Sequence, residues 1–460
     1  MQTRWRTRRN VLCYAGVATA SAAMQQILPG AVRAQPTPKR KSIESLSPPE
    51  LDAYERAIQT AKARSQANPA DPTGYQYWAD LHDVFDTTVH SGCPHFSEKF
   101  LPWHRRHLAD FEKVLQKAVP GVTDNVTIPY WDWTKPPKEG VHFPKAFERQ
   151  ASPLFDRRLN LNPPPWDPVD VHNIVKSPDW SAFGGLPDPS DEFGQNPGSL
   201  ESGPHNTLHF NISRDMRVPQ SASNDPIFWS FHAFIDLIWT RWQRLHVTDQ
   251  NPQPFQNGEA IIWFRDRSFA IKTTAKIADF NYDYDYDYAG ADGPVPSPAL
   301  MAAAQTVSVY APAKRSMPLA TAAETGRYLT LRPSGPITTT SNVALRIVGA
   351  TVYSDKSYRM DLYLHAGNVD IASIDAQARR PLLVRTIGIW RTHHGGKVQL
   401  FVRLTPDQVV QLNNGWVLTV VSQLAVADED VRSAMSSPQS AALSLPATSS
   451  LVQQVEIQER

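Results

Sequence analysis

Two clusters of histidines, well separated along the chain, are the part of this sequence that could do chemistry. The first contains His95 and His104, and the second contains His205, His209 and His232. Sites built from imidazoles suit copper, zinc, nickel or iron, whereas thiolate-rich sites suit structural zinc and iron–sulfur clusters. The chain has 2 cysteines among 460 residues, so a cysteine quartet is excluded. Two sets of imidazoles therefore predict a site for two metal ions.

The spacing within the second cluster favours helices. His205 and His209 are four residues apart, so on a helix both rings project from one face. Such a pair alone does not define a metal site, and we expect His232, on the following helix, to complete it. Asp236 comes four residues after His232 and is placed to orient neighbouring groups.

The first cluster needs a third nitrogen, and two histidines compete for the role. His82 shares an apolar helical face with Trp78 and Leu81. His90 falls off that face beside Ser91-Gly92, where a solvated histidine at a helix C-terminus is expected. We favour His82 and keep His90 as the alternative.

Periodicity divides the chain into a helical part and a later β part. Residues 47–118 are predicted to be helical, and a proline-dense region with few periodic segments covers about 136–204. A second helical block begins near Asp225, a predicted N-cap followed by Pro226 at the first helical position, and runs towards His246. The Tyr-Asp repeat at 281–288 marks its end.

After a linker, the apolar pattern changes to period two. Four alternating segments predict strands of an antiparallel β domain: Val343–Ile347, Met360–Leu364, Val398–Leu404 and Trp416–Val420. The predicted organisation is a helical domain at 35–292, a Pro/Ala/Thr-rich linker at 293–340, a β domain at 341–425 and a disordered or weakly docked tail at 426–460.

Composition and the amino end indicate an exported protein. The formal net charge is +1, so nothing indicates a nucleic-acid or membrane-surface partner. Residues 1–34 combine arginines, a modestly apolar run and a small-residue cleavage site, and Thr7–Leu12 fits the twin-arginine form of a signal peptide. We expect export by that route to the periplasm or the medium. Cleavage would leave Cys93 as the only cysteine, so no internal disulfide could form.

The motifs around the histidines resemble those of the tyrosinase, catechol oxidase and hemocyanin family of type-3 copper proteins. The resemblance covers about residues 50–290, and its motifs are Phe100–Arg106, Asp110–Glu112, Ile128–Trp133, His205–His209 and Asn224–Trp229 with His232 and Asp236. It implies a mainly α core, a four-helix bundle with long loops, followed by an antiparallel β-sandwich. It also implies two copper ions, one held by His82, His95 and His104 and the other by His205, His209 and His232.

The resemblance also implies roles for residues beside the ligands. Cys93, two residues before His95, matches the cysteine that forms a thioether with that histidine in fungal and molluscan members; the alternative is an unmodified buried thiol. Glu201 matches the glutamate that holds a water near the second copper, and Asn206 the asparagine that helps to activate it. Val218 matches a valine over the active site, although the neighbouring Pro219 competes for this position.

The activity implied is that of a tyrosinase, which uses dioxygen to ortho-hydroxylate monophenols and to oxidise o-diphenols to o-quinones. A catechol oxidase acting on o-diphenols only is the alternative. A hemocyanin-like oxygen-binding protein comes third, because Glu201 and Asn206 match catalytic members. The predicted partners are a small phenol and dioxygen. In longer family members the domain after the linker covers the entrance, so the β domain is expected to act as a lid or, alternatively, to be an independent tethered domain.

Overall fold

The computed structural model describes the residues 37–82, 92–159, 168–187, 197–247, 255–265, 267–285, 313–340, 343–353, 356–389, 396–424 and 445–459. Within them, the chain from Pro38 onward forms one compact unit. The predicted signal peptide, the alternative ligand His90, the first part of the predicted linker and the first part of the predicted tail lie outside the described residues.

The first half of the chain is mainly helical. Its helices are α1 (Pro48–Ala67), α2 (Tyr75–His82), α3 (Phe100–Gln116), α4 (Lys145–Glu148), α5 (Pro168–Lys176), α6 (Trp180–Gly184), α7 (Asn206–Ile212) and α8 (Ile227–His246). Helix α3 packs against α8 at the centre, α1 packs against α2 and α3, and α5 packs against α8. Helix α8 is buried almost throughout, as expected of the central helix of a core.

Local sequence explains where the two long helices begin. Ser47 and Glu50 form a capping box at the start of α1, with Pro48 in the first turn. Helix α8 begins at Ile227, one residue later than an N-cap at Asp225 predicts. The Asp225 carboxylate still accepts the backbone N–H of Ile227 at 3.1 Å, so it satisfies one of the donors left open at the helix end.

Short strands tie the ends of the helical part together. Strand β1 (Lys39–Arg40) pairs in parallel with β4 (Asp283–Tyr284), and β2 (Ile261–Phe264) pairs with β3 (Arg267–Ala270). The first of these pairs brings the start of the described chain to the Tyr-Asp repeat. This repeat therefore closes the helical part, as the sequence predicts.

The second half forms an antiparallel β domain of eight strands. They are β5 (Arg315–Thr325), β6 (Tyr328–Pro333), β7 (Val343–Val352), β8 (Tyr358–Ala366), β9 (Leu383–Ile389), β10 (Gly396–Arg403), β11 (Trp416–Leu424) and β12 (Gln454–Glu459). Their order is β10-β7-β12-β5-β6-β11-β8-β9. The long strand β5 pairs with β12 through its first residues and with β6 through its last ones, and the pairing with β6 contains a register shift between Thr321 and Ala323. It therefore joins the two halves of the sheet.

The structure confirms the four predicted strands and corrects the flanking assignments. Strands β5 and β6 lie inside the predicted linker 293–340, so its later part is folded. The predicted disordered or weakly docked tail is wrong for 445–459, because β12 lies inside the sheet between β5 and β7. Three short helices accompany the strands: α9 (Ala376–Arg379), α10 (Pro406–Asn413) and α11 (Thr448–Leu451). Within the described ranges, none of the helices is long and apolar enough to cross a membrane.

Candidate metal centre

Helices α2 and α3 deliver the first two histidines to the interior. His82 is the last residue of α2, and His104 lies one turn into α3. Pro102 precedes His104 without breaking the helix, because the first turn has no intrahelical partner for a proline N–H to miss. Both rings are buried, and their centroids are 5.5 Å apart.

His95 reaches the same place from a turn rather than from a helix. The next residue, Phe96, has a φ of 63°, a left-handed conformation that is costly for an aromatic residue. The buried Glu201 carboxylate stabilises it, because Oε1 accepts the Phe96 N–H at 2.7 Å. The same oxygen lies 3.1 Å from Nδ1 of His95. Glu201 belongs to the segment of the second cluster. It therefore stabilises the turn at Phe96 and orients the ring of His95 in the first cluster.

The second cluster begins with a π-helical turn. Residues Glu201–His205 form this turn and continue directly into α7. Such wider turns occur frequently at functional sites. The His205 and His209 rings lie 4.5 Å apart, centroid to centroid, which confirms the same-face arrangement that their spacing predicts.

All six predicted histidines converge in one buried region. The ring of His232, from α8, stacks on that of His104 with centroids 3.9 Å apart and an interplanar angle of 2°. Across the two clusters, the centroids of His95 and His205 are 5.5 Å apart. Ligand atoms within 4.8 Å of one another define three groups: His82, Cys93 and His95; His82, His104 and His232; and His205, His209 and His232. His232 thus lies within reach of both clusters, whereas the sequence assigned it to the second alone.

Oxygen acceptors hold five of the six rings through Nδ1. Backbone carbonyls hold three of them, Pro219 for His82 at 2.7 Å, Phe100 for His104 at 2.9 Å and Met216 for His209 at 2.7 Å. Side chains hold the other two, Glu201 for His95 at 3.1 Å and Asn206 for His205 at 2.8 Å. An acceptor at Nδ1 keeps the ring proton there and leaves the Nε2 lone pair to bind a metal.

Burial keeps these imidazoles neutral. It lowers the pKa of His82 and of His95 to about 3, and lowers those of His104, His205, His209 and His232 well below their usual value. A neutral ring is the form that binds a metal. Burial also raises the pKa of Glu201 well above its usual range, although the Phe96 N–H acts in the opposite direction.

Asp236 acts on a buried network of arginines and tyrosines rather than on a histidine. Its carboxylate accepts hydrogen bonds from Arg105 Nε at 2.6 Å, Tyr282 OH at 2.5 Å and Tyr284 OH at 2.6 Å, and lies 3.4 Å from Arg40 Nη1. Neither ring nitrogen of His232 has a hydrogen-bond partner among the described residues. The predicted orienting role of Asp236 therefore concerns the scaffold, since Arg40 lies on β1 and the two tyrosines come from the closing repeat.

The thiol of Cys93 is buried against the first cluster. Its Sγ lies 3.4 Å from Nε2 and 3.8 Å from Nδ1 of His104. It also belongs to the group that contains His82 and His95. Burial raises the pKa of this thiol well above its usual value. The sequence resemblance implies the contact with His95 but not the one with His104. The turn that folds Cys93 onto α3 has no periodic sequence pattern from which its conformation could be predicted.

The loop between α7 and α8 serves both clusters, and its sequence gave no sign of this. Met216 and Pro219 hold His209 and His82 through their carbonyl oxygens. A backbone carbonyl has no side-chain signature, so no residue type could have pointed to this role. Val218, the predicted gate, is half-buried in the same loop. Pro219, the residue that competes with Val218 for the gate position, provides its carbonyl to the predicted ligand His82.

The β domain lies directly against the second cluster. Strand β9 packs on the π-helical turn and on α7, and the Asn206 side-chain amide donates to the Gly388 carbonyl at 2.8 Å. A second contact joins Ala182 of α6 to Ala344 and Phe401 of the sheet. Gly388 was missed, although a glycine inside the apolar run of β9 is a recognised sign of close backbone approach.

Comparison with known proteins agrees with this arrangement. Residues 72–161 and 160–245 match the family model described as the common central domain of tyrosinase. The chain is similar to a tyrosinase of Hahella sp. (strain CCB-MM4), with 29% identity over 247 residues that cover 44% of this chain and 53% of that protein. It is also similar to chloroplastic polyphenol oxidase E of Solanum lycopersicum, with 26% identity over 47% of this chain and 44% of the relative. The matches thus span about half the length of these relatives.

The fold likeness extends further than the sequence likeness. The structure of latent apple tyrosinase superposes with a TM-score of 0.61 and 18% identity, and the match covers 92% of this chain and 96% of that one. At this identity the likeness concerns the fold alone. It includes the β domain, which lies beyond the residues that the family model matches.

Proposed function

We propose that this chain, which matches the tyrosinase domain model over residues 72–161 and 160–245, is a copper-dependent oxidase of phenols of that family. The observation that carries the proposal is the convergence of six buried imidazoles, all held neutral by burial. Two coppers are proposed, one held by His82, His95 and His104 and the other by His205, His209 and His232. The four helices that carry most of these ligands act in this proposal as a four-helix bundle, and the β domain as a sandwich that covers them.

The residues present fit copper by their donor chemistry. Neutral imidazoles suit Cu ions, and carboxylate-rich sites would favour harder cations. The two ring nitrogens of His232, buried with no hydrogen-bond partner among the described residues, are the kind of polar atoms that a metal satisfies. When bound there, copper supplies dioxygen binding and the electron transfer between dioxygen and the phenol.

We propose that Glu201 and Asn206 handle the phenol's proton. A phenol has a pKa near 10, so a monophenol needs a positioned acceptor at neutral pH. Glu201 engages its protein partners through Oε1, while Oε2 is buried and accepts no hydrogen bond from the described residues. That oxygen is the proposed acceptor when the carboxyl is ionised, and its raised pKa makes it a stronger base than an exposed carboxylate. In the overall reaction a monophenol and one dioxygen give an o-quinone and one water, so one oxygen atom enters the ring.

A catechol oxidase acting on o-diphenols only is the second candidate. It is favoured by the hydrogen bonds that already occupy the Asn206 side chain at both ends. One N–H and one oxygen lone pair of Asn206 are taken in this way, so only the other N–H and the other lone pair could hold a water. Val218, half-buried in the loop that holds His82 and His209, is proposed to border the phenol's path.

The β domain is proposed to be a lid over the copper centre. Strand β9 packs on the segment that carries His205 and His209, and this contact supports the proposal. Export of the folded protein through the twin-arginine route, with delivery to the periplasm or the medium, remains part of this proposal.

Oxygen uptake by the copper-loaded chain tests the proposed activity. With L-DOPA we expect uptake, and with L-tyrosine we expect uptake after a lag in which o-diphenol accumulates. Uptake with L-DOPA alone would assign the protein to the catechol oxidases. Reversible oxygen binding without oxidation of either substrate would indicate an oxygen-binding protein instead.

A further inference from the structure

Strand β9 approaches helix α7 so closely that only glycine fits at the contact. A Cβ placed on Gly388 would lie 2.7 Å from Cβ of Asn206 and 2.9 Å from the backbone nitrogen of Thr207. Real Cβ atoms do not approach other atoms so closely, and both of these neighbours are backbone atoms or atoms bonded directly to the backbone, which cannot swing away. Gly388 is therefore required for close approach between the two domains.

The hydrogen bonds at this contact leave one orientation for the Asn206 amide. The Gly388 carbonyl can only accept, so the Asn206 amide nitrogen must face it, at 2.8 Å. The amide oxygen then faces Nδ1 of His205, at 2.8 Å. Because that oxygen can only accept, Nδ1 of His205 must carry the proton, which leaves the Nε2 lone pair for a metal.

His205 differs from the other histidines in what holds it. The carbonyls that hold His82, His104 and His209 belong to the backbone of the helical part and can only accept. Glu201, which holds His95, offers a carboxylate. Asn206 alone among these holders is a side-chain amide, which can rotate by half a turn and present its NH₂ group instead.

We propose that docking of the β domain sets the ring tautomer of His205, through the Gly388 carbonyl and the Asn206 amide. The contact that covers the centre thus also keeps one ligand in its metal-binding form. This inference rests on the proposed copper site. When the domain leaves, the amide is free to turn its NH₂ towards Nδ1 of His205, which favours the proton on Nε2 and weakens metal binding. Loss of such an orienting partner typically costs about 10–100-fold in metal affinity.

The test compares two glycine substitutions in the full-length chain. Gly388→Ala forces β9 away from α7. Gly367→Ala is the matched control, because its Cβ would meet only Gly415 O at 3.4 Å and Val417 Cγ1 at 3.8 Å, which are ordinary contacts. Hydrogen exchange of the α7 amides reports docking, and ¹⁵N shifts of labelled histidines in the metal-free protein report the tautomer of His205.

We expect Gly388→Ala to speed exchange in α7, to move the His205 proton towards Nε2 and to weaken retention of about half of the copper against a chelator by about 10–100-fold. The Gly367→Ala protein should match the wild type in all three measurements. Undocking without a change of tautomer would overturn the proposal, and so would a Gly388→Ala protein that stays docked.

A second variant covers the case in which Gly388→Ala fails to fold. Asn206→Asp removes the donor to Gly388 but keeps an oxygen opposite Nδ1 of His205. It should therefore loosen docking while the tautomer stays as in the wild type, and a shift of the proton to Nε2 in this variant would contradict the relay. The tautomer is read without metal, so a wild-type chain that binds no copper would refute the proposed function and leave this readout intact.

Discussion

Glu201 is the residue at which the two histidine clusters meet. One of its oxygens fixes the strained turn at Phe96 and the ring of His95, although Glu201 itself precedes His205 in the π-helical turn. The family resemblance implied a role for Glu201 near the second metal. The structure adds a hydrogen bond between Glu201 and His95 of the first cluster. Sequence could not predict this contact, because the two segments lie far apart in the chain.

Replacing Glu201 by Gln should depress monophenol hydroxylation more than diphenol oxidation. Gln keeps an oxygen for Phe96 and His95 but puts an NH₂ group in place of the proposed proton acceptor. We expect L-tyrosine turnover to fall by about 10²–10⁴-fold, with L-DOPA oxidation much less affected. Glu98→Gln is the control, since Glu98 is also a buried carboxylate but accepts hydrogen bonds from Trp180, Gln256 and Asn257. Equal losses on both substrates would make Glu201 a structural residue.

The predicted thioether of Cys93 can be located by peptide mapping. Trypsin places Cys93 and His95 in one peptide that ends at Lys99, whereas His104 falls in the next, Phe100–Arg105. We expect copper-treated protein to lose its thiol titre and the first peptide to lose the mass of two hydrogens. A bond to His104, whose ring nitrogens lie close to the sulfur, would instead join the two peptides. A full thiol titre after denaturation would exclude any cross-link.

At the scale of elements, a buried ion network joins the ends of the helical part to its centre. Arg40 of β1 donates a hydrogen bond to Glu112 of α3 at 2.9 Å. Its guanidinium lies over the ring of Tyr282, with Cζ 3.7 Å from the ring centroid. Asp236 of α8 binds Arg105 of α3 and the same tyrosine. Strands β1 and β4 lie at the two ends of the helical part, and the network joins them to α3 and α8. It therefore stabilises the helices that carry His104 and His232.

Asp236→Asn should destabilise the fold strongly. The change leaves two buried arginines with less opposing charge, and removing one partner of a buried pair costs about 3–5 kcal/mol. The free energy of unfolding in urea measures this loss. Asp52→Asn is the control, because Asp52 pairs with Arg56 on the exposed surface of α1, where a pair contributes about 1 kcal/mol or less. Similar losses in the two variants would contradict the account of the network.

Asp236 also predicts how stability depends on pH. Burial raises the pKa of this carboxyl, but Arg105 and Arg40 outweigh burial and hold the pKa below its usual value. The pKa of the folded state then lies below that of the unfolded state, so the contribution to stability is present above the unfolded value and is lost as pH falls through the folded one. The wild type should therefore lose stability in acid more steeply than Asp236→Asn, and parallel pH curves would contradict this.

The strands that were predicted from sequence and those that were missed differ in which side chains they bury. Strands β7, β8, β10 and β11 bury apolar side chains in simple patterns and were predicted. Strand β12 was missed because Glu456 and Glu459 are buried in it as partners of Arg346 and Arg315. In an alternating strand pattern, charged residues are expected to face solvent, but these ion pairs are buried. Strand β5 was missed because it contains Pro318 and has few buried positions, so its composition looks like that of a linker.

The histidines were predictable because metal-binding chemistry constrains residue type and spacing. The groups that orient the histidine rings were harder to predict. Met216 and Pro219 act through their backbones, and Gly388 acts by having no side chain. The functions of the two carbonyls depend on tertiary position, which no local pattern encodes, whereas Gly388 left a sign in the sequence that was not used.

At the scale of the whole molecule, the β domain covers the centre with an edge of its sheet. Strand β9 is the last strand of the sheet order, and the helical part covers it. Covering an exposed edge in this way protects it from pairing with other chains. The arrangement therefore serves the stability of the sheet and, in the proposed function, restricts access to the copper centre.

With copper supplied in excess, so that weaker copper binding does not limit the rate, removing the β domain should raise activity. All eight strands of the sheet begin after residue 312, so residues 35–292 retain every proposed ligand. If the uncovered state is populated at about 0.1–10% in the intact chain, its exposure raises kcat/KM by about 10–1,000-fold. Initial rates of L-DOPA oxidation measure this. Full-length chain cut by a protease at a site placed within 293–298 serves as a second form if the fragment is insoluble. Unchanged rates in soluble fragment and cut chain would make the domain a bystander.

The content of copper per chain decides whether the six histidines form a two-copper centre. We expect metal analysis of the copper-loaded protein to give two coppers per chain, and His205→Ala combined with His209→Ala to reduce this to one, because these rings belong to the second cluster alone. The double variant should keep the copper held by His82, His95 and His104. A single tightly held ion in the wild type, or a preference for zinc over copper, would contradict the account.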